Sequence, residues 1–183
     1  ITGLSTKGHL AAGVPGTVAG LVEAHQKYGQ LSWQEVVQPA IDLADKGYKI
    51  SSTEADRLNS FQGAFLTYNT ESCPLVKEGW REGDFLIQKD LAATLGRIRD
   101  KGRDGFYTGE TAELLVSEMQ SGNGIISLDD LANYQASWRS TVSGEYKNYS
   151  VISMPPSSSG GVALLQMLGM IENHPISDYG FQS

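Results

Sequence analysis

The richest stretch of hydroxyl groups in the sequence is Ser157-Ser158-Ser159-Gly160-Gly161, set between an alternating apolar run and a strongly apolar one. Two chemistries suit such a cluster. A hydrolase could use one serine as nucleophile, but the G-x-S-x-G elbow is absent, because Pro155 to Ser159 supply no leading glycine. A helix N-terminus could cradle a phosphate on its free N–H groups, yet the phosphate-loop pattern of glycines followed by Lys and Ser/Thr does not occur. What remains is a tight strand-to-helix turn with a serine N-cap and glycines that allow close packing. The histidines, His9, His25 and His174, are scattered, one in a loop, one on a helix and one before Pro175. They lack ligand spacing, so no metal site is read. The lone Cys73 excludes an intramolecular disulfide and a thiolate cage. Asp129, Asp130, Glu110 and Glu113 fall in the first turns of expected helices, where acids complement the dipole. Asp42 and Asp45 are expected on a solvated face beside Lys46.

Helices dominate the elements that must position these residues. Thr17 to Tyr28 follows Pro15 and carries Val18, Leu21, Val22 and His25 at helical spacing, with Gly29 as its stop. Ser32 and Glu35 form a capping box for a second helix through Val36, Val37, Ala40, Ile41 and Ala44, ended by Gly47 and expected to bend at Pro39. A second box at Ser51-Ser52-Thr53-Glu54 opens a polar segment to about Phe65, and Tyr68 to Gly83 reads as a loop. Leu91, Leu95 and Ile98 mark a further amphipathic helix closed by Gly102. Another runs from Thr111 to Gln120 and stops at Ser121-Gly122-Asn123-Gly124. Ser127 with Asp130 caps a short one. The period then changes to two: Val142 to Tyr149 and Tyr149 to Met154 read as strands, with Lys147-Asn148 as the turn. Val162 to Ile171 resumes as helix. The fold class is mainly α with a small β portion, a single body over 1–183.

With 183 residues, 40% hydrophobic and 19% charged, the chain has material for one core and too little charge for disorder. Its net charge of −7 argues against a nucleic-acid partner, which needs a cationic surface. The longest basic cluster, Arg97 to Arg103, contains Asp100 and is followed by Asp104, a solvated mixed face. Trp33, Trp80 and Trp138 are too dispersed for a base-stacking platform. No apolar run reaches the roughly 18 residues of a membrane span. Asn148-Tyr149-Ser150 matches an acceptor sequon of low specificity. The chain opens on Ile1 without a signal-peptide pattern and ends abruptly at Ser183, so it reads as a piece of something longer.

Several runs carry a family likeness. Gly13-Val14-Pro15-Gly16-Thr17-Val18-Ala19-Gly20, Tyr28-Gly29 and Val37-Gln38-Pro39-Ala40-Ile41-Asp42-Leu43-Ala44 resemble gamma-glutamyltransferases (gamma-glutamyltranspeptidases). So do Gly105-Phe106-Tyr107-Thr108-Gly109 and Leu128-Asp129-Asp130-Leu131-Ala132-Asn133-Tyr134. The strongest match is Met154-Pro155-Pro156-Ser157-Ser158-Ser159-Gly160-Gly161 followed by Leu164-Leu165-Gln166-Met167-Leu168. The series recurs in the family's order across nearly the whole chain.

The resemblance implies a self-cleaving precursor whose large and small subunits fold as an N-terminal-nucleophile αββα sandwich. A threonine freed at the small subunit's start attacks the gamma-glutamyl amide of glutathione, its own α-amino group serving as base. Water, an amino acid or a peptide then resolves the acyl enzyme. No cofactor is implied. The family's Thr-Thr-His-like processing run is absent here, and Thr17, Thr53, Thr94, Thr108 and Thr141 stand in other contexts. The arginine that grips the donor's α-carboxylate lies upstream of the Gly13-Val14-Pro15-Gly16 run in the family. None of Arg57, Arg81, Arg97, Arg99, Arg103 or Arg139 matches it. The expectation is therefore a central part of the large subunit with no catalytic, substrate-binding or metal residue of its own. Such a piece is inactive alone, prone to self-association, and completed by the small subunit and the rest of the large one. The family implies a periplasmic, secreted or cell-surface setting. Rival readings are a stand-alone helical binding module of shared ancestry, or a relative acting as an acylase or on poly-gamma-glutamate.

Overall fold

The computed structural model of the chain describes residues 3–69 and 73–180. These fall into two compact units, Ile1–Ala136 and Ser137–Ser183. The first is helical: α1 (Thr17–Tyr28), α2 (Trp33–Lys46), α3 (Ser52–Tyr68), α4 (Lys89–Lys101), α5 (Asp104–Tyr107), α6 (Gly109–Ser121) and α7 (Leu128–Asn133). Its only strands among the described residues are the two-residue β1 (Tyr48–Lys49) and β2 (Phe85–Leu86), antiparallel with Tyr48 opposite Leu86. The second unit is a hairpin of β3 (Val142–Tyr146) and β4 (Tyr149–Ser153) carrying α8 (Gly160–Ile171).

Local chemistry explains where the helices start. Ser32, Ser51 and Ser127 each accept the N3 backbone N–H on the hydroxyl, while the N3 carboxylates of Glu35, Glu54 and Asp130 take the serine's own N–H. That reciprocal pairing satisfies two donors a helix start otherwise leaves bare. Helix α2 runs continuously through Pro39. In the hairpin Val142 faces Ser153 and Tyr146 faces Tyr149, with Lys147 at a φ of 52° in the turn between them. Gly161 is where α8 meets the hairpin: a Cβ there would overlap the Met154 carbonyl and sit 2.9 Å from Val142 Cγ2.

Two clusters make the core of the first unit. Ala19, Tyr107, Ala112, Val116, Ile126 and Leu131 form one, joining α1, α5, α6 and α7. Ile50, Ala55, Trp80 and Leu86 form the other, beneath the loop that follows α3. Side-chain amides moor that loop. Asn59 donates to the Trp80 carbonyl at 2.9 Å and accepts the Trp80 N–H at 2.8 Å. Gln62 likewise donates to the Leu75 carbonyl at 2.9 Å and accepts the Lys77 N–H at 3.1 Å.

Candidate functional site

Three of the sequence motifs meet around one side chain, Tyr107, which is 1% exposed. Its hydroxyl donates to the Pro15 carbonyl at 2.5 Å and accepts the Ala19 N–H at 3.2 Å. Helix α1 begins at Gly16 without a side-chain cap, so a phenol from α5 supplies what the local sequence lacks. The ring stacks on Tyr134 with centroids 5.6 Å apart and planes 10° from parallel. Arg103 lies 4.9 Å from the Tyr107 ring centroid, and its Nη2 donates to the Ala132 and Tyr134 carbonyls at 2.7 and 2.6 Å. A Cβ on Gly16 would overlap the Tyr134 hydroxyl, and one on Gly105 would overlap the Arg97 carbonyl. Those two glycines are thus dictated by close approach rather than by turn geometry.

Burial pushes the Tyr107 phenol up, with neighbouring Tyr134 adding to the shift, while the Ala19 N–H and Arg103 oppose it. A neutral phenol is the form that can donate to Pro15 and accept from Ala19 at once. Several shifted carboxyls elsewhere are held by helix caps or by neighbouring side chains. Hydrogen bonds from Ser32 lower Glu35, those from Ser51 lower Glu54, and those from Ser127 lower Asp130. Gln38 then Lys46 lower Asp42; Lys77 then the Arg81 N–H lower Asp84; Arg99 lowers Asp100. These carboxyls are dispersed along the surface rather than gathered in one cleft.

The residues singled out from sequence land apart. His9 Nε2 meets Glu118 Oε1 at 2.8 Å, His25 Nε2 meets the Leu31 carbonyl at 2.9 Å, and His174 follows α8. No group of three or more His, Cys, Asp or Glu side chains among the described residues could hold a metal ion. Cys73 is half-buried and free. Ser157, Ser158 and Ser159 are exposed before α8. The expected serine N-cap does not form: Ser159 sits at φ −77° and ψ −18°, already helical, and its side chain makes no capping bond. A capping hydroxyl needs the extended conformation that Ser32, Ser51 and Ser127 adopt. The expected solvated face from Arg97 to Arg103 is also corrected. Arg97 Nε donates to Thr111 at 2.7 Å, Arg99 Nη1 to Gln38 at 2.6 Å, and Arg103 fastens α7 as above. The basic run is a set of ties between helices.

One cleft, of about 470 Å³, opens between α1, α2 and α4, lined by Val18, Leu21, Trp33, Val36, Leu95 and Ile98 among others. Two of its polar atoms are engaged: Trp33 Nε1 donates to the Ile98 carbonyl at 2.9 Å, and His25 Nε2 meets the Leu31 carbonyl. Sequence reasoning missed Tyr107 as the hub, since its partners Pro15 and Ala19 are distant in the chain and no local pattern signals them.

Comparison with known proteins agrees with this architecture. A family model described as Gamma-glutamyltranspeptidase matches residues 2–183. The glutathione hydrolase proenzyme of Escherichia coli (strain K12) is 43% identical over 98% of this chain, which covers 31% of that protein. The acylase ACY 1 proenzyme of Pseudomonas sp. (strain SE83) is 35% identical over 96% of this chain and is covered to 32%. The crystal structure of Helicobacter pylori gamma-glutamyltranspeptidase superposes with a TM-score of 0.91 at 42% identity, covering 100% of this chain and 53% of that one. The chain spans about a third of the length of the curated relatives it matches.

Proposed function

The chain belongs to the gamma-glutamyltranspeptidase family, and from that we propose that it is scaffold from the large subunit of an enzyme moving a gamma-glutamyl group from glutathione to water, an amino acid or a peptide. The observation that carries the reading is the uninterrupted family match along a chain that spans only a third of its relatives. In this reading the nucleophilic threonine, its α-amino base and the processing site lie in polypeptide that follows Ser183. The arginine gripping the donor's α-carboxylate lies in polypeptide that precedes the Gly13-Val14-Pro15-Gly16 run. The scaffold takes its place in an N-terminal-nucleophile αββα sandwich outside the cytoplasm, in the periplasm or at the cell surface. No helix among the described residues is long and apolar enough to cross a membrane.

The partners are then the small subunit and the rest of the large one. Exposed Ile152, Met154, Met167 and Met170 of the second unit support this, because apolar residues gathered on one small unit are suited to burial against further chain. Expressed alone, the 183 residues self-associate through such surface. The test is a gamma-glutamyl anilide assay on this chain beside the full-length polypeptide. Turnover by the full-length protein and none by the chain is the expected pair of results, and robust activity from the chain alone overturns the reading. The acylase relative favours a second reading, hydrolysis of a non-gamma-glutamyl amide. A full-length protein that ignores the anilide but deacylates such amides would select it.

A further inference from the structure

The run from Gly8 to Gly16 is fastened at both ends. At the Gly16 end, the Tyr107 hydroxyl holds the Pro15 carbonyl and the first turn of α1. At the Gly8 end, His9 Nε2 meets Glu118 Oε1 on α6 at 2.8 Å, the histidine side chain 12% exposed and the glutamate 41%. The imidazole rests where α6 ends: a Cβ on Gly122 would overlap its Nδ1, and one on Gly124 would come 3.2 Å from its Cβ. Gly8 itself has a φ of 79°, a backbone turn that glycine makes without strain. Before it, Thr6 and Lys7 bond locally to the Gly3 carbonyl. His9 thus ties the start of the chain to a helix 109 residues away in sequence.

We propose that His9 is a positioning residue for the gamma-glutamyl donor: its clasp on Glu118, seated against Gly122, sets the path of the chain that leads into the Gly8–Gly16 run, here called the strap. The inference rests on the reading above, in which the group holding the donor's α-carboxylate lies on that incoming chain. A donor-gripping side chain is only as well placed as the backbone beneath it, and positional error is costly because productive geometry is narrow. The strap carries no reacting group, so its loosening weakens donor capture more than the chemical step.

The test uses the full-length polypeptide. His9→Ala and Gly122→Ala each raise the donor KM about tenfold with kcat within about twofold. His9→Gln, which keeps a donor nitrogen for Glu118, restores most of the loss. Hydrogen exchange reads the strap directly through the amides of Ala11 and Ala12, which bond to the Gly8 and His9 carbonyls and exchange faster in both weakened variants. Should His9→Ala fail to fold, Gly122→Ala, whose Cβ displaces the imidazole from its seat, tests the same contact by the same KM shift. An unchanged donor KM alongside faster exchange at Ala11 and Ala12 overturns the positioning role and leaves the proposed function standing. A wild-type protein inert toward the anilide overturns both.

Discussion

The two units of the chain use apolar residues in opposite ways. In Ile1–Ala136, Leu131 and Ala112 are 0% exposed and Tyr107 1%, and two clusters enclose their own core. In Ser137–Ser183 the helix α8 is apolar almost throughout, yet the unit's only buried residue among those described is Gly161. Ile152 and Met170 are each 68% exposed. Apolar content is therefore no guide to where stability resides in this chain. Burial requires a partner surface, which the first unit supplies from its own helices and the second does not.

The sharpest way to break this contrast is to delete side-chain volume in each unit. Leu131→Ala should cost about 2–5 kcal/mol in chemical denaturation, from lost transfer energy and a residual cavity. A value under about 1 kcal/mol would show that the first core is loosely packed. Next in size is Tyr107→Phe, which strands the Ala19 N–H and the Pro15 carbonyl and should cost about 1–3 kcal/mol. Met170→Ser, in the second unit, should move stability by no more than about 0.5 kcal/mol while reducing self-association in sedimentation. A large loss of stability there would mean that α8 is buried after all.

The smallest effect is on acid stability. The caps hold Glu35, Glu54 and Asp130 below their ordinary values of 4.5, 4.5 and 3.8. A lowered folded-state value contributes stability that is complete above the ordinary value and drains as pH falls through the lowered one. These carboxylates are exposed, so screening keeps the contribution modest. Glu54→Gln should lower Tm slightly at pH 7 and converge with the wild type in acid. A Tm difference that persists below pH 2 would assign the effect to something other than ionisation.

What the sequence discloses and what it hides divide by range. The capping boxes at Ser32, Ser51 and Ser127, the stops at Gly29, Gly47 and Gly102, and the hairpin around Lys147-Asn148 are legible because each is decided within a few residues. Helix α5 is too short for periodicity to reveal. The β1–β2 pair is hidden because Tyr48 and Leu86 are joined only once α3 and its loop have folded back. Tyr107 reads locally as one more aromatic, and Arg97 to Arg103 as solvated charge, until distant partners give them roles. Ser159 shows the converse error: residue type alone suggested a cap, and backbone conformation vetoed it.

Asn59 and Gln62 have a consequence for how the molecule can vary. Each amide grips the loop beyond Cys73 by peptide groups alone, one N–H and one C=O apiece. A hold of that kind places no demand on side chains, and of the gripped residues it is Trp80 and Leu75 that the core fixes by type. The exposed side chains of Glu78 and Glu82 take no part in that hold, which makes them the positions to try for a fluorophore or an affinity handle.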